Sequence, residues 1–311
     1  MKIFRGTHSR WCSEAGCVLA VGNFDGVHLG HRKIFEVAVD KARSRGVAAA
    51  LLTFSDHPQG VLRPDEAPQP LMVLDDRLAI ARQSGFDAAV ILDFDSDLAS
   101  MSPERFADEI LSDALGAVGI VAGVNWRFGR GRAGDMEFLR DKDLEVTAVE
   151  PVTAGGEDVS STRIRSYLSE GDVAAARTLL GRPHFVRGNV LRGRGRGKHL
   201  GFPTVNLDTG PVMIPATGVY AGGYFLGSVS GPAAVNVGPS PTYEDSVSGV
   251  EAYLVNWERN LYGESVAIVF LQRLRPEGIF KDAGPLSRRI AADVEQTRQI
   301  FTPDAFAGVP R

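Results

Sequence analysis

Cysteine is nearly absent from this chain: its 311 residues include only Cys12 and Cys17, both near the start. Because no second pair and no cysteine–histidine ligand spacing accompanies them, we predict neither a disulfide framework nor a zinc site. No apolar run reaches membrane-spanning length, and residues 1–6 lack the continuous apolar core of a signal peptide. We therefore expect a soluble cytoplasmic protein without a membrane partner.

An excess of positive charge is also missing. The 34 Lys and Arg residues against 38 Asp and Glu give a formal net charge of −4. Because nucleic-acid-binding domains usually carry a basic excess, we expect no nucleic-acid partner, and any affinity for phosphates must come from local sites. The length is sufficient for two ordinary domains with sizeable cores.

The first half of the chain alternates between strand-like and helix-like segments. This alternation predicts a mainly parallel sheet covered on both faces, with ligands at the carboxyl ends of its strands. The strand-like segments are 17–21, 47–54, 88–92, 118–123 and 145–149. The helix-like segments are 32–45, with Ile34, Val37, Ala38 and Lys41 on one side, a segment capped by Asp75 or Asp76 that ends at Ser84, and one opened by Ser102 and Pro103.

The second half is rich in glycine and proline and has short β-type segments, whose spacing predicts a small antiparallel barrel. These segments are 186–190, 219–225, 233–237, 249–256 and 264–271. A terminal helix follows, with an apolar stripe formed by Leu286, Ile290, Val294 and Ile300 or Phe301. We place the domain boundary near Leu180–Pro183, which gives domains 1–180 and 181–311.

The most informative motif follows the first strand and reads Gly22-Asn23-Phe24-Asp25-Gly26-Val27-His28-Leu29-Gly30-His31. A strand here delivers two histidines to the N-terminus of a helix, where backbone N–H groups and the helix dipole attract anions. The pattern His-x-Gly-His is typical of adenylyl- and cytidylyltransferases, which the chain resembles at this point. The alternative is a tight turn with two surface histidines.

Three further clusters stand where this architecture holds its ligands. Thr53-Phe54-Ser55-Asp56-His57-Pro58 follows one strand, residues 123–131 with Asn125 follow another, and residues 159–165 open a helix. In the last cluster Ser161 or Thr162 can cap the helix, while Arg163 or Arg165 can reach a phosphate. Taken alone, each cluster is a weak signal: Ser-Ser-Thr is more often just a helix cap, and Arg163 is more often a solvated helix charge. All three clusters fall where this architecture holds its ligands, and that agreement carries the argument.

With these motifs, residues 15–180 resemble the FAD synthetase module of the bacterial bifunctional riboflavin kinase/FAD synthetase family. The resemblance implies that FMN attacks the α-phosphate of ATP, that His28 and His31 stabilise the phosphates in the transition state, and that positioning and electrostatics perform the catalysis. The family usually has Thr-Phe-Glu-Pro-His-Pro where this chain has Ser55 and Asp56 in the middle. The candidate ATP- and FMN-binding residues are Gly22, Asn23, Phe24, Asp25, Gly30, His57, Asn125, Ser161, Thr162 and Arg163.

The second half contains a glycine- and arginine-rich run, residues 188–201, followed by Phe202-Pro203-Thr204-Val205-Asn206. Its glycines let the backbone approach a ligand closely, and its basic residues can neutralise polyphosphate. The run is neither a P-loop nor a Gly-x-Gly-x-x-Gly motif, and a basic loop that binds single strands is the alternative. Thr204 and Asn206 are two residues apart, so in an extended segment both point to one face, where their oxygens could ligate Mg²⁺ beside ATP.

Together with Pro241-Thr242, Glu251 and Leu261-Tyr262-Gly263, this run resembles the riboflavin kinase family over residues 183–302. The resemblance implies a six-stranded barrel that transfers the γ-phosphate of ATP to the 5′-hydroxyl of riboflavin. Glu251 would be the general base or would orient the hydroxyl, and Thr204 and Asn206 would hold magnesium. The candidate ATP- and riboflavin-binding residues are Gly193, Gly195, Arg196, Gly197, Lys198, Gly201, Pro203 and Asn236.

We therefore predict a Rossmann-like α/β nucleotidyltransferase domain followed by a six-stranded antiparallel barrel with a C-terminal helix. The predicted activity converts riboflavin to FMN and FMN to FAD, with ATP as co-substrate, Mg²⁺ as cofactor and flavins as substrates and products. We expect a monomer or a transient homo-oligomer. Two alternatives remain: a paralogue with one active module or a modified flavin substrate, and a non-catalytic flavin-responsive binding protein.

Overall fold

The computed structural model describes residues 1–6, 15–142, 144–192, 196–239, 248–278, 280 and 282–310. They form two compact units, Met1–Val159 and Ser160–Arg311. In this described part of the chain, no helix is both long enough and apolar enough to cross a membrane. The predicted functional boundary after residue 180 stays a prediction, and the compact units divide earlier in the chain.

The first unit is built on a six-stranded, fully parallel sheet with the strand order β1-β4-β3-β2-β5-β6. Its central strands consist of small and branched apolar residues that are buried on both faces, as expected for a sheet covered by helices. The strands are β1 Lys2–Arg5, β2 Cys17–Val21, β3 Ala48–Phe54, β4 Ala88–Leu92, β5 Ala117–Gly123 and β6 Glu145–Val149, followed by a small β7 Thr153–Ala154 and β8 Glu157–Asp158 hairpin.

The helices of this unit are α1 Leu29–Arg45, α2 Pro58–Leu62, α3 Leu74–Gln83, α4 Ser96–Ser100, α5 Pro103–Arg105, which continues as a π-helical stretch Phe106–Ala114, and α6 Met136–Arg140. Helix α1 begins three residues earlier than predicted. Its buried residues are Ile34, Phe35, Ala38, Val39 and Ala42; of the four residues predicted on one side, Ile34 and Ala38 are buried, and Val37 and Lys41 are partly buried.

Helix caps agree with the prediction at one site and differ at another. The Ser102 hydroxyl accepts a hydrogen bond from the Arg105 N–H at 3.3 Å and caps α5 as expected. Helix α3, by contrast, begins after Val73 without a side-chain cap. Asp75 and Asp76 lie inside its first turn, where carboxylates interact favourably with the helix dipole, so the prediction that either one is the cap is wrong.

The second unit contains a closed, antiparallel six-stranded barrel with the order β10-β13-β12-β11-β14-β9, which confirms the predicted architecture. The strands are β9 His184–Leu191, β10 Val205–Asp208, β11 Gly218–Leu226, β12 Val229–Pro239, β13 Ser248–Leu254 and β14 Ser265–Arg275. The helices of this unit are α7 Ser161–Glu170, α8 Val173–Leu180, α9 Arg196–His199 and α10 Ala283–Ile300.

The terminal helix α10 is fixed to the barrel by charge as well as by apolar contact. Val294 is buried as predicted, whereas Leu286, Ile290 and Ile300 are only partly buried. The side chain of Asp293, which is 3% exposed, forms an ion pair with Arg275 of β14. Both Nε and Nη2 of Arg275 donate to Asp293 Oδ2, at 3.1 and 2.8 Å. This pair places one face of α10 against the strands.

Candidate functional site

The topology of the parallel sheet fixes where the first site lies. Strand β2 has β3 on one side and β5 on the other, and the chain leaves the carboxyl ends of β2 and β5 in opposite directions. Such a switch point opens a crevice outside the carboxyl ends of the strands. The loops 22–28 and 124–131 both emerge at this edge, which places two of the predicted motifs together.

The histidine motif forms the start of helix α1. His28 is the N-cap, and its Nδ1 accepts a hydrogen bond from the backbone N–H of His31 at 3.3 Å. The two imidazole rings stack with their centroids 3.5 Å apart. A Cβ atom at Gly30 would lie 3.2 Å from the His28 ring, so this glycine allows the stacked arrangement. The prediction that a strand delivers both histidines to a helix N-terminus is confirmed.

The residues between β2 and His28 support the loop from within. Phe24 and Val27 are buried and have φ angles of 53° and 36°, in the left-handed region that branched and bulky residues rarely adopt. The carboxylate of Asp25, 4% exposed, accepts a hydrogen bond from the Leu71 N–H at 2.9 Å. Because these interactions over-determine the backbone, they hold a strained turn next to the histidines.

Arg77 is a buried cation at this edge that the sequence analysis missed. Its guanidinium donates to Thr53 Oγ1 at 3.2 Å and to the Phe54 carbonyl at 3.0 Å, and Thr53 in turn donates to the Asn23 carbonyl at 3.1 Å. Burial lowers the pKa of Arg77, and the charges of Asp25 and Asp56 partly offset this. The chain of bonds ties helix α3 to the ends of β2 and β3.

A pocket of about 710 Å³ opens beside these strand ends. It brings together Asn23, His57 and Asn125 of the predicted residues, whereas Gly22, Phe24, Asp25, His28, Gly30 and His31 do not line it. Within the described part of the chain, the Oδ1 atom of Asn23 is buried and has no hydrogen-bond partner, as expected for a group that meets a ligand. The other lining residues include Phe54, Phe94, Phe106, Trp126, Arg127, Phe128 and Arg132.

The pocket residue His57 also has a local role, and three other predicted residues of the first site lie in the second unit. His57 caps α2, because its Nδ1 accepts from the Gln59 N–H at 3.2 Å. Ser161, Thr162 and Arg163 form the first turn of α7 in the second unit. The prediction that Ser161 or Thr162 caps this helix is wrong: Ser160 is the cap, and its Oγ accepts from the Arg163 N–H at 3.3 Å.

The second unit has a pocket of about 420 Å³ between its strands and helix α10. Glu251 and Tyr253 line it and alternate along β13 with the buried Val250, Ala252 and Leu254. The pocket therefore lies on the strand face that carries Glu251. Of the predicted residues, it brings together Gly197, Thr204, Asn236 and Glu251; the other lining residues include Phe202, Arg275, Glu277, Phe280, Leu286, Ile290 and Asp293.

Glu251 is the centre of a polar row, of which Thr204 and Asn236 also line the pocket and Asn206 does not. The hydroxyl of Thr204 donates to Glu251 Oε1 at 2.5 Å. Asn206 on β10 and Asn236 on β12 stand directly opposite Glu251 in the two strand registers. Opposed residues of antiparallel strands share a face, so two amides flank the carboxylate.

Thr204 and Asn206 offer the hard oxygen donors that Mg²⁺ prefers, and Thr204 already lines the pocket. A Cβ atom at Gly197 would lie 2.9 Å from Thr204 Oγ1, so only glycine allows this approach of the chain. Among the described residues no cluster of three or more His, Cys, Asp or Glu side chains could hold a metal ion. Three other predicted residues of the barrel site are described but do not line the pocket: Lys198 is exposed, Gly201 has a φ of 84°, and Pro203 precedes β10. The remaining ones lie outside the described part of the chain: Gly193, Gly195, Pro241, Thr242 and the Arg196 side chain.

Comparison with known proteins finds relatives that contain both parts of the chain. Family models described as FAD synthetase and riboflavin kinase match residues 12–163 and 180–301. The bifunctional riboflavin kinase/FMN adenylyltransferase of Pseudomonas fluorescens is 35% identical, over 98% of this chain and 99% of the relative. The protein of the same name from Bacillus subtilis is 33% identical, over 93% and 94%.

A solved structure also matches over nearly its whole length. It is described as a macrolide-efflux protein from Streptococcus pneumoniae, has a TM-score of 0.88 and 29% identity, and the match covers 97% of this chain and 100% of that one. A parallel nucleotide-binding sheet followed by a flavokinase-type barrel defines a two-domain flavin transferase. The chain belongs to the bifunctional riboflavin kinase/FMN adenylyltransferase family.

Proposed function

We propose that this chain makes FAD from riboflavin in two ATP-dependent transfers. In the first, the 5′-hydroxyl of riboflavin takes the γ-phosphate of ATP and gives FMN and ADP. In the second, a phosphate oxygen of FMN attacks the α-phosphate of a second ATP and gives FAD and pyrophosphate. The two family matches, in order along one chain, support both activities.

The observation that carries the kinase assignment is the contact between Thr204 and Glu251 inside the barrel pocket. A carboxylate held by a neighbouring hydroxyl is pre-positioned to accept the proton of the riboflavin 5′-hydroxyl as the phosphate is transferred. Asn206 and Asn236 flank it on the adjacent strands. Phe202 and Tyr253, whose rings meet edge to face with centroids 5.4 Å apart, give the pocket an aromatic wall suited to a flat ring system.

We infer that Thr204 and Asn206 hold Mg²⁺, which would neutralise the phosphate charges of ATP. The glycine-rich segment containing Gly197 and Lys198 would bring backbone and cation to the same phosphates. Gly193, Gly195 and Arg196 belong to that proposal by sequence resemblance. The close approach of Gly197 to Thr204 supports it.

For the adenylyl transfer, we infer that His28 and His31 stabilise the charge that develops on the α-phosphate. Because His28 Nδ1 accepts the hydrogen bond of the helix cap, its proton resides on Nε2, which makes Nε2 the donor. Asn23 and Asn125 would position the substrates from the pocket. Ser161, Thr162 and Arg163 belong to this proposal by sequence resemblance, as residues that would bind phosphate. No covalent intermediate is required.

We further expect the protein to act in the cytoplasm, where both ATP-dependent transfers find their substrates, as a monomer or transient homo-oligomer. The acidic net charge of −4 supports the expectation that no nucleic acid is bound.

The test is incubation of the purified protein with riboflavin, ATP and Mg²⁺, with the flavins separated by chromatography over time. We expect FMN to appear before FAD, Glu251→Gln to stop the first step alone, and His28→Asn to stop the second alone. FMN without FAD from the unmodified protein would indicate a single active module. No conversion of riboflavin or of supplied FMN would reject the proposal in favour of a binding protein.

A further inference from the structure

The pocket of the first unit is unusual in its charge. None of the described residues that line it is acidic, although the whole chain has a net charge of −4. Its charged lining residues are Arg127 and Arg132, which stand beside the aromatic side chains Trp126 and Phe128. These rings stack with centroids 4.7 Å apart. A flat aromatic ligand that carries a negative charge matches this combination.

The two arginines differ in how they are held. Arg127 donates to the Trp126 carbonyl at 3.0 Å and lies 3.9 Å from a carboxylate oxygen of Asp135. Arg132 is exposed and, within the described part of the chain, no hydrogen bond or ion pair engages its side chain. An arginine that lines a pocket without an internal partner is available to an anionic ligand.

The backbone of Arg132 is strained, because its φ of 60° lies in the left-handed region. Gly129 and Gly131, which precede it in the same turn, also have positive φ angles, of 69° and 66°. The turn is fixed at both ends. Arg130 N–H donates to the Met101 carbonyl at 2.7 Å, and Phe128 and Gly134 exchange two backbone hydrogen bonds of 2.9 Å. Strain in a non-glycine residue persists where the surroundings over-determine it, and such sites cluster where ligands bind.

We propose that Arg132 enables this pocket to distinguish a phosphorylated flavin from riboflavin, by a charge-assisted hydrogen bond to the 5′-phosphate of FMN. This inference rests on the proposed adenylyltransferase function and adds a specificity residue to it. The barrel pocket offers the matching contrast, because Glu251 and Glu277 line it, as does Asp293, whose charge Arg275 neutralises. The pocket proposed for neutral riboflavin is thus lined by carboxylates, whereas the pocket proposed for dianionic FMN is lined by arginines.

The test measures FAD formation from supplied FMN, a reaction that only the first site performs, with the full chain and three variants. Arg132→Asn removes the charge but keeps a residue that tolerates a positive φ, and Arg132→Gly removes both charge and strain. Arg130→Asn is the matched control, because Arg130 belongs to the same turn but does not line the pocket.

We expect both Arg132 variants to raise the KM for FMN about tenfold, the value of one lost charge-assisted hydrogen bond. The KM for ATP and the inhibition constant of riboflavin should stay unchanged, as should all values for Arg130→Asn. Arg132→Lys should restore most of the affinity. The KM of the unmodified protein for FMN should also rise with salt more steeply than that of Arg132→Asn.

Equal effects of Arg130→Asn and Arg132→Asn, or no change in the KM for FMN, would overturn the assignment. A rise in the KM for ATP alone would assign Arg132 to the nucleotide instead and would equally overturn it. A purely structural role predicts that Arg132→Gly, which relieves the strain, keeps the KM of the unmodified protein. Absence of FAD formation by the unmodified protein would instead reject the proposed function itself.

Discussion

His28 and His31 are joined by a helix cap and by a ring stack at the same time: the backbone N–H of His31 donates to His28 Nδ1, and the two rings lie 3.5 Å apart. The cap fixes which nitrogen of His28 carries a proton, and the stack fixes the orientation of both rings. A local structural interaction thus pre-organises two donors for an anion at a helix N-terminus.

Substitution of His28 should separate capping from catalysis. Asparagine is a good N-cap, so His28→Asn should leave the free energy of unfolding nearly unchanged while FAD formation falls about 100-fold or more. His28→Ala should lose the same activity and about 1 kcal/mol of stability. Denaturant unfolding and the FAD assay check both points. Retention of FAD formation by His28→Asn would remove His28 from the proposed mechanism.

Thr204 should be required for riboflavin phosphorylation because of its oxygen and not because of its shape. Thr204→Val keeps the volume but loses both the hydrogen bond to Glu251 and the proposed Mg²⁺ ligand. We expect FMN formation to fall about 100-fold with adenylylation of supplied FMN unchanged, whereas Thr204→Ser retains most of the activity. Rates at increasing Mg²⁺ concentration measure the effect. Equal activity of the Val and Ser variants would contradict it.

The ion pair between Arg275 and Asp293 should contribute strongly to the stability of the second unit. Asp293→Ala leaves Arg275, whose side chain is 16% exposed, without its counter-charge, and we expect a loss of about 3 kcal/mol. Because Arg275 and Asp293 also line the barrel pocket, the KM for riboflavin should rise. The control is Arg105→Ala, which breaks an exposed pair with Glu109 and should cost less than about 0.5 kcal/mol. Chemical denaturation measures both effects. Similar losses in the free energy of unfolding for Asp293→Ala and Arg105→Ala would refute the stronger role of the buried pair.

His184 should make the second unit sensitive to acid. Burial lowers the pKa of His184 from 6.5 to about 4, the charge of Arg182 acts in the same direction, and the bond of Nε2 to the Met213 carbonyl partly opposes the shift. Between these values the unfolded chain binds a proton that the folded chain does not, so the free energy of unfolding falls as pH decreases through this window. Its slope should reach about 1.4 kcal/mol per pH unit.

His184→Gln retains a donor for the Met213 carbonyl but does not titrate. Its unfolding free energy, measured by denaturation from pH 4 to pH 8, should therefore vary less with pH than that of the unmodified protein. Parallel pH dependences of the two proteins would show that His184 is not responsible.

The sequence was sufficient to predict five of the six strands of the parallel sheet, because runs such as Cys17–Val21 and Ala88–Leu92 are apolar throughout and buried on both faces. The outer strand β1 was not predicted, because its four residues are mostly exposed and form no apolar run. The first residues of the helices were harder to predict. Ser160 and Ser161 are equally good caps by composition, and only the backbone conformation decides for Ser160. Arg77 was missed because it follows Asp75 and Asp76 in a charged run that is typical of an exposed helix turn, whereas the fold buries it against Thr53.

The site residues of the barrel were named from the sequence, but their contacts were not. Thr204 and Glu251 are 47 residues apart, and the hydrogen bond between them depends on the strand register, which is set by pairing over the whole barrel. The wall that α10 contributes to the pocket depends on the pair of Arg275 and Asp293, which no local pattern marks.

The barrel and the parallel sheet should differ in how their backbone hydrogen bonds open to solvent. Each barrel strand has hydrogen-bonded neighbours on both sides, whereas β1 and β6 are the outer strands of the parallel sheet and, among the residues that the structure describes, each pairs with one strand only. Strand β1 is short and mostly exposed, so its amides should exchange with solvent through local fraying. The closed barrel has no outer strand at which fraying could begin. The amides at the centre of its strands should therefore exchange only when the whole barrel unfolds.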